Sequence, residues 1–200
     1  MNVDSLNDVH IDVLKEVGNI GAGNATTALS KMLNRPIDMD VPKVRVLEFS
    51  DVATLIGGEE ETVTGILLSL EGDIKGMMMF VLEHESSKKL VELLMGMKVE
   101  EFGEIETSAM KEIGNILTGS YLTSLSSLTN LSVVPSVPHL AVDMAGAILS
   151  VPAIEFGKVG DKVLFIETMF NQGDDSISGY YILIPEIGSF KTLLMSLGVA

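Results

Sequence analysis

Residues 12–19 and 108–115 of this chain write nearly the same helix twice. Asp12, Glu16, Gly18, Asn19 and Gly23 recur as Ser108, Glu112, Gly114, Asn115 and Gly119, every pair 96 positions apart. Val41-Pro42 recurs as Val137-Pro138 at the same offset. A repeat of this kind limits the fold more than any composition figure, because each half must form the same supersecondary unit. Further along, "GDIKGMMMFVLE" (72–83) resembles "DSISGYYILIPE" (175–186) at an offset of 103. The second half therefore carries about seven extra residues, which are expected in the polar, turn-rich stretch "FNQGDD" (170–175) as a hairpin loop. Each half closes with an amphipathic segment ending in glycine, 84–96 and 187–198, the usual helix stop.

Each half then reads as a long helix, a strand after the proline, a short helix or irregular piece, a two-stranded hairpin and a helix. Strands are expected at 43–49, 62–70, 75–82, 148–156, 162–170 and 178–184, where Val, Ile, Leu, Met and Phe run between Gly and Asp. Short connections imply antiparallel pairing. The expected class is α+β, internally duplicated about a pseudo-twofold, with an antiparallel sheet and two long motif-bearing helices. One domain over 1–200 is expected, built from repeats of about 8–100 and 104–200 that share a sheet or core.

Composition removes several functions. Nearly half of the 200 residues are hydrophobic (46%) and a fifth are charged (20%), enough for a sizeable core. With no cysteine there are no disulfides, thiolate metal sites or cysteine nucleophiles. His10, His84 and His139 lack ligand spacing, so no metal site is expected from this chain. A net charge of −15 disfavours nucleic acid and anionic membranes. Residues 113–142 carry no Asp, Glu, Lys or Arg, but Asn115, Asn130, many hydroxyls, Pro135 and Pro138 make them too polar to cross a membrane. The first ten residues have neither a basic n-region nor an apolar h-region, so no signal peptide is expected.

At about 100° per residue, Asp12, Glu16 and Asn19 fall within about 60° of one another, as do Ser108, Glu112 and Asn115. Val9, Ile11, Val13, Leu14, Val17 and Ile20 are assigned to the opposite, core-facing arc, with Ile105, Ala109, Met110, Ile113 and Ile116 as their counterparts. Glycines that each cost a helix about 1 kcal/mol relative to alanine then call for a reason. Gly18 and Gly114, continued by Gly21 and Gly23, form a thin flank where another backbone could approach closely. A dinucleotide loop fails, since Gly21-x-Gly23 is followed by Thr26 and no strand precedes it.

A lone Glu and Asn on a helix would be ordinary solvated surface. Here the buried arc drifts between the halves (Val13 to Ala109, Val17 to Ile113) while the outward Glu and Asn stay the same, the reverse of what packing alone would preserve. An amide both donates and accepts, so it can orient a water molecule. Phosphoryl hydrolysis needs an in-line water more than a strong base. A glutamate one turn away can pair with a partner's lysine. The set suits a phosphatase whose substrate brings its own metal and phosphate.

The pattern Asp/Ser-x-x-x-Glu-x-x-Asn with a proline 23 residues later resembles the CheC/CheX/FliY phosphatases of bacterial chemotaxis. Two copies in a chain of this length are similar to the CheC branch. The resemblance implies a cytoplasmic hydrolase acting on the aspartyl phosphate of the response regulator CheY. Asn19 and Asn115 would each position the attacking water, and Glu16 and Glu112 would pair with the regulator's lysine. Asp12, Ser108, Pro42 and Pro138 would support helix placement. The protein would need no cofactor of its own, with Mg2+ carried by the regulator. Two competent sites and a monomer are expected. The family also implies the receptor deamidase CheD as a partner, docking on a short helix over 141–149 through Asp143, Ala145, Gly146, Ala147 and Ile148. That helix moves the start of the fourth expected strand to about 151. The alternatives are a non-catalytic adaptor holding CheY-phosphate and CheD, and a flagellar switch component similar to the FliM middle domain.

Overall fold

The repeated pattern produces two helices of equal length. In the computed structural model, which describes residues 8–34, 36–156, 162–172 and 175–198, α1 spans Asp8–Leu33 and α4 spans Glu104–Thr129, 26 residues each. Both stop at an asparagine in the left-handed conformation, Asn34 (φ 51°) and Asn130 (φ 56°), again 96 positions apart. Asparagine tolerates this conformation better than most residues and ends the helix there. The Asn130 N–H donates to the Ser126 carbonyl at 2.8 Å. At the start of α4 the Gly103 N–H donates to the Glu106 carboxylate at 2.9 Å, satisfying a donor the helix leaves free.

The strands are β1 (Asp38–Glu48), β2 (Thr62–Gly72), β3 (Gly76–Glu83), β4 (Val133–Pro135), β5 (His139–Met144), β6 (Lys162–Gln172) and β7 (Asp175–Pro185). They form one antiparallel sheet in the order β1-β6-β7-β3-β2, with β4 and β5 sharing the outer edge of β2. The order is its own mirror under the repeat. The first strand of each half pairs with the other half's hairpin (β1 on β6, β5 on β2), and the hairpins meet at β3 and β7. Pro42 sits in a register shift between Asp40 and Lys43 of the edge strand β1, a place where a residue without an N–H is tolerated.

Alternation along the strands sends side chains to two cores. On one face Ile66, Leu68, Phe80, Leu82, Leu164, Ile166, Tyr181 and Leu183 meet Leu14, Val17, Leu29, Met110, Ile113, Leu117 and Tyr121 of the long helices. Leu90 and Val91 of α3 (His84–Met95) and Leu193 of α6 (Ile187–Ser196) close this core. On the other face Val63, Leu67, Met77, Met79, Val81, Phe165 and Ile182 meet the short helices α2 (Val52–Leu55) and α5 (Ala145–Phe156). Coverage on both faces explains why "GMMMFVL" of β3 is apolar without alternation.

Two expectations fail. Residues 148–156 are helix, not strand, and a start at 151 does not help, because α5 runs from Ala145 to Phe156 despite Pro152. The strand following the second proline is β5, at the place the first half would assign it. The short apolar run "AGAILSVPAI" carries no period that separates a buried helix from a buried strand. The extra residues of the second half do not form a hairpin loop over 170–175 either. Strand register continues to Gln172 opposite Asp175, with 173–174 outside the described residues. Much of the added length instead lies between β5 and β6, where 145–161 takes the place of 49–61.

Candidate functional site

Each candidate residue inherits its position from the packing of its helix. With Leu14 and Val17 buried on one side of α1, and Met110, Ile113 and Leu117 on one side of α4, the opposite stripes must face out. Asp12, Glu16 and Asn19 are all exposed, as are Ser108, Glu112 and Asn115. The Ser108 hydroxyl donates back to the Glu104 carbonyl of its own helix at 2.7 Å. Among the described residues, the side chains of Asp12, Glu16, Asn19, Glu112 and Asn115 take part in no hydrogen bond or ion pair. The fold holds these groups out without using them.

The core-facing arc is narrower than the helical wheel predicts. Val9 (65% exposed) and Ile105 (67% exposed) are solvent-facing, and so is Ile20. Val9 and Ile105 occupy equivalent positions three residues before Asp12 and Ser108, so both copies place an apolar side chain on the outward stripe. Lys15 and Lys111 form another repeated pair that the motif reading passed over. Each lies four residues before its asparagine, hence on the same side of the helix, and neither joins an ion pair among the described residues. Both pairs could have been found in the sequence by testing every position at the 96-residue offset.

The glycines divide by cause. A Cβ on Gly114 would lie 2.7 Å from Ile66 Cγ2, so this glycine lets α4 settle onto a sheet side chain, not onto another backbone. A Cβ on Gly21 would lie 2.6 Å from the Tyr121 ring and 3.1 Å from its Cα. The counterparts of Gly21 and Ala25 in the other half are Leu117 and Tyr121, so the helix pair meets small against large. Tyr121 packs at 4.7 Å on Tyr181, and burial pushes its phenol up to about 12. The Asn24 amide donates to Ser124 Oγ across the pair at 3.2 Å.

Pro42 lies within β1 and Pro138 immediately before β5, the strands that join the other half. Of the expected CheD surface, Asp143 is exposed in β5, where its carboxylate accepts from the Met144 N–H at 2.8 Å. Gly146 and Ala147 are half-buried. Ala145 and Ile148 are buried in the second core, which corrects their assignment as contact residues. The start of α5 is fixed by Ala145 N–H to Glu61 carbonyl (2.8 Å) and Gly146 N–H to Glu59 carbonyl (2.9 Å). Among the described residues, no group of three or more His, Asp or Glu side chains is placed to hold a metal ion. No helix among them is long and apolar enough to cross a membrane.

A model of the CheC-like family matches residues 9–46 and 105–141, one segment for each copy of the motif. The chain is 37% identical to the CheY-P phosphatase CheC of Bacillus subtilis over 98% of its own length and 97% of that protein. This chain belongs to the CheC-like family. Among solved structures, Thermotoga maritima FliY superposes with a TM-score of 0.77 at 26% identity, covering 96% of this chain and 98% of that one. CheX in the CheX-CheY-BeF3-Mg2+ complex from Borrelia burgdorferi shares the fold, with a TM-score of 0.50 at 17% identity over 83% of this chain and 96% of that one. The two family segments begin near the starts of the two repeats, so both outward stripes fall inside them.

Proposed function

We propose that this protein hydrolyses the aspartyl phosphate of the response regulator CheY, with one active site on α1 and one on α4. The observation that carries this reading is the pair of exposed Glu/Asn sets, identical in spacing and unpartnered among the described residues. The near full-length likeness to a CheY-P phosphatase supports the choice of substrate. At each site the Asn19 or Asn115 amide reaches into the regulator's site and holds a water in line with the phosphorus. The water oxygen bonds to phosphorus as the bond to the regulator's aspartate oxygen breaks. The aspartate leaves as a carboxylate, and the water's proton ends on the phosphate. Glu16 or Glu112 pairs with the regulator's lysine and fixes the docking. Asp12 and Ser108 steady the stripe from the preceding turn.

Mg2+ would be bound by the regulator, where it neutralises charge on the transferring group. Likeness to a chain solved with CheY, BeF3 and Mg2+ agrees with that division of labour. The protein acts in the cytoplasm, as the resemblance implies, and as a monomer, since the repeat supplies the second site within one chain. CheD docks beside α5 through Asp143, Gly146 and Ala147, the accessible part of that stretch.

The test is phosphate release from acyl-phosphate-loaded CheY with Mg2+, followed with and without this protein. Acceleration supports the phosphatase. No acceleration, with or without CheD, would leave an adaptor that holds regulator and deamidase together.

A further inference from the structure

Two glycines on the outward stripes have no cause within the chain. Gly23 and Gly119 lie inside α1 and α4, four residues after Asn19 and Asn115 and about midway in angle between the Asn and the Glu of each stripe. Neither has the positive φ that would require glycine. A Cβ built on either one meets nothing within 4 Å. Alanine would suit both helices better, yet both copies keep glycine at the stripe position one turn after the amide. Gly21 and Gly114, by contrast, are accounted for by Tyr121 and Ile66. A second observation lies beside them. A shallow groove runs on from Gly119 along Leu122, Thr123 and Ser126, and an equivalent groove on α1 is lined by Thr26, Thr27 and Ser30, each 96 positions earlier.

We infer that Gly23 and Gly119 are clearance positions for the docked regulator. The regulator's surface lies directly on helix backbone there, and the missing Cβ lets Asn19 or Asn115 reach its full depth into the regulator's site. The inference rests on the phosphatase reading and extends the docking footprint one turn beyond the asparagine, toward the groove. It makes Gly23 and Gly119 positioning residues, acting through the amide.

The test pairs two readouts on the full chain carrying Gly23→Ala and Gly119→Ala together. The first is the melting temperature. The second is the affinity for CheY loaded with Mg2+ and beryllofluoride, measured by calorimetric titration. Because helix propensity improves and the added methyls meet no neighbouring atom, melting should rise by about 2–4 °C per substitution. Affinity should fall at least tenfold. A structural role would instead lower the melting temperature, and that result would overturn the inference. Unchanged affinity would overturn it as well. Binding is read without turnover, so a wild-type protein that binds but fails to hydrolyse phospho-CheY would sink the phosphatase reading separately.

Discussion

At the scale of single residues, the account depends on side chains that the fold leaves unused. Glu16 and Glu112 are exposed and take part in no ion pair among the described residues. Their charge is therefore free for a partner's lysine. Replacing both with glutamine keeps the size and one acceptor oxygen and removes the charge. Weakening a charge-assisted hydrogen bond at the docking interface in this way should raise KM for phospho-CheY by about tenfold, leave kcat within about twofold, and flatten the salt dependence of kcat/KM. Steady-state rates at two ionic strengths would check this; an unchanged KM would remove the lysine pairing. These residues were legible in the sequence because the chain contains its own comparison, with the arc varying and the Glu and Asn constant. The wheel was less reliable at its edges. Val9, Ile20 and Ile105 look like core by type and angle, yet whether the sheet reaches them depends on where the helix lies across it, which periodicity does not encode.

At the scale of elements, the same residue type serves opposite ends. Gly114 is buried, and an added methyl would meet Ile66 below 3 Å, so Gly114→Ala must displace the buried Ile66 side chain, the helix or the strand. Overpacking of this kind costs about 1–3 kcal/mol, and each kcal/mol lowers the melting temperature of a chain this size by about 2–4 °C. A thermal melt of Gly114→Ala should thus shift down while Gly23→Ala shifts up, in helices that are otherwise repeats. Equal shifts would mean that the two glycines share one cause. The helices, hairpins and closing helices were readable because each has a clear period or a firm stop. The segment 145–156 was not, since it is apolar along most of its length and the neighbours that bury Ala145, Ile148 and Leu149 are distant in sequence. The repeat itself held the missing information. The residues after Pro42 are strand β1, and the same step after Pro138 gives β5. The asparagine stops at 34 and 130 were equally available and equally overlooked.

At the scale of the whole molecule, the halves exchange strands, so each motif helix rests on a sheet that both halves build. The aromatic group under α4 joins them: Tyr181 of the second half stacks on Phe80 of the first at 4.7 Å and packs on Tyr121 at the same separation. Burial is the first cause raising the pKa of each of the chain's three tyrosines, Tyr121 to about 12, Tyr180 upward and Tyr181 well above its ordinary value. A phenol raised in the folded state stabilises the fold below its unfolded value of about 10 and loses that contribution as pH rises through the folded value. A titration of tyrosinate absorbance should therefore show little ionisation at a pH of about 10 while the protein is folded, with the signal appearing as the fold is lost. A tyrosine ionising near its ordinary value with native circular dichroism would contradict the packing. The shared sheet also makes the two-site claim a property of one molecule, and that claim is the centre of the account. It is tested most directly by the rate of phosphate loss from acyl-phosphate-loaded CheY with Mg2+, measured for wild type, Asn19→Ala, Asn115→Ala and the double variant. Each single variant should keep the activity of its intact site, and the double should fall by at least about 100-fold, the scale expected for losing a positioning hydrogen-bonding group. A double variant that hydrolyses phospho-CheY as fast as wild type would show that neither asparagine performs the chemistry.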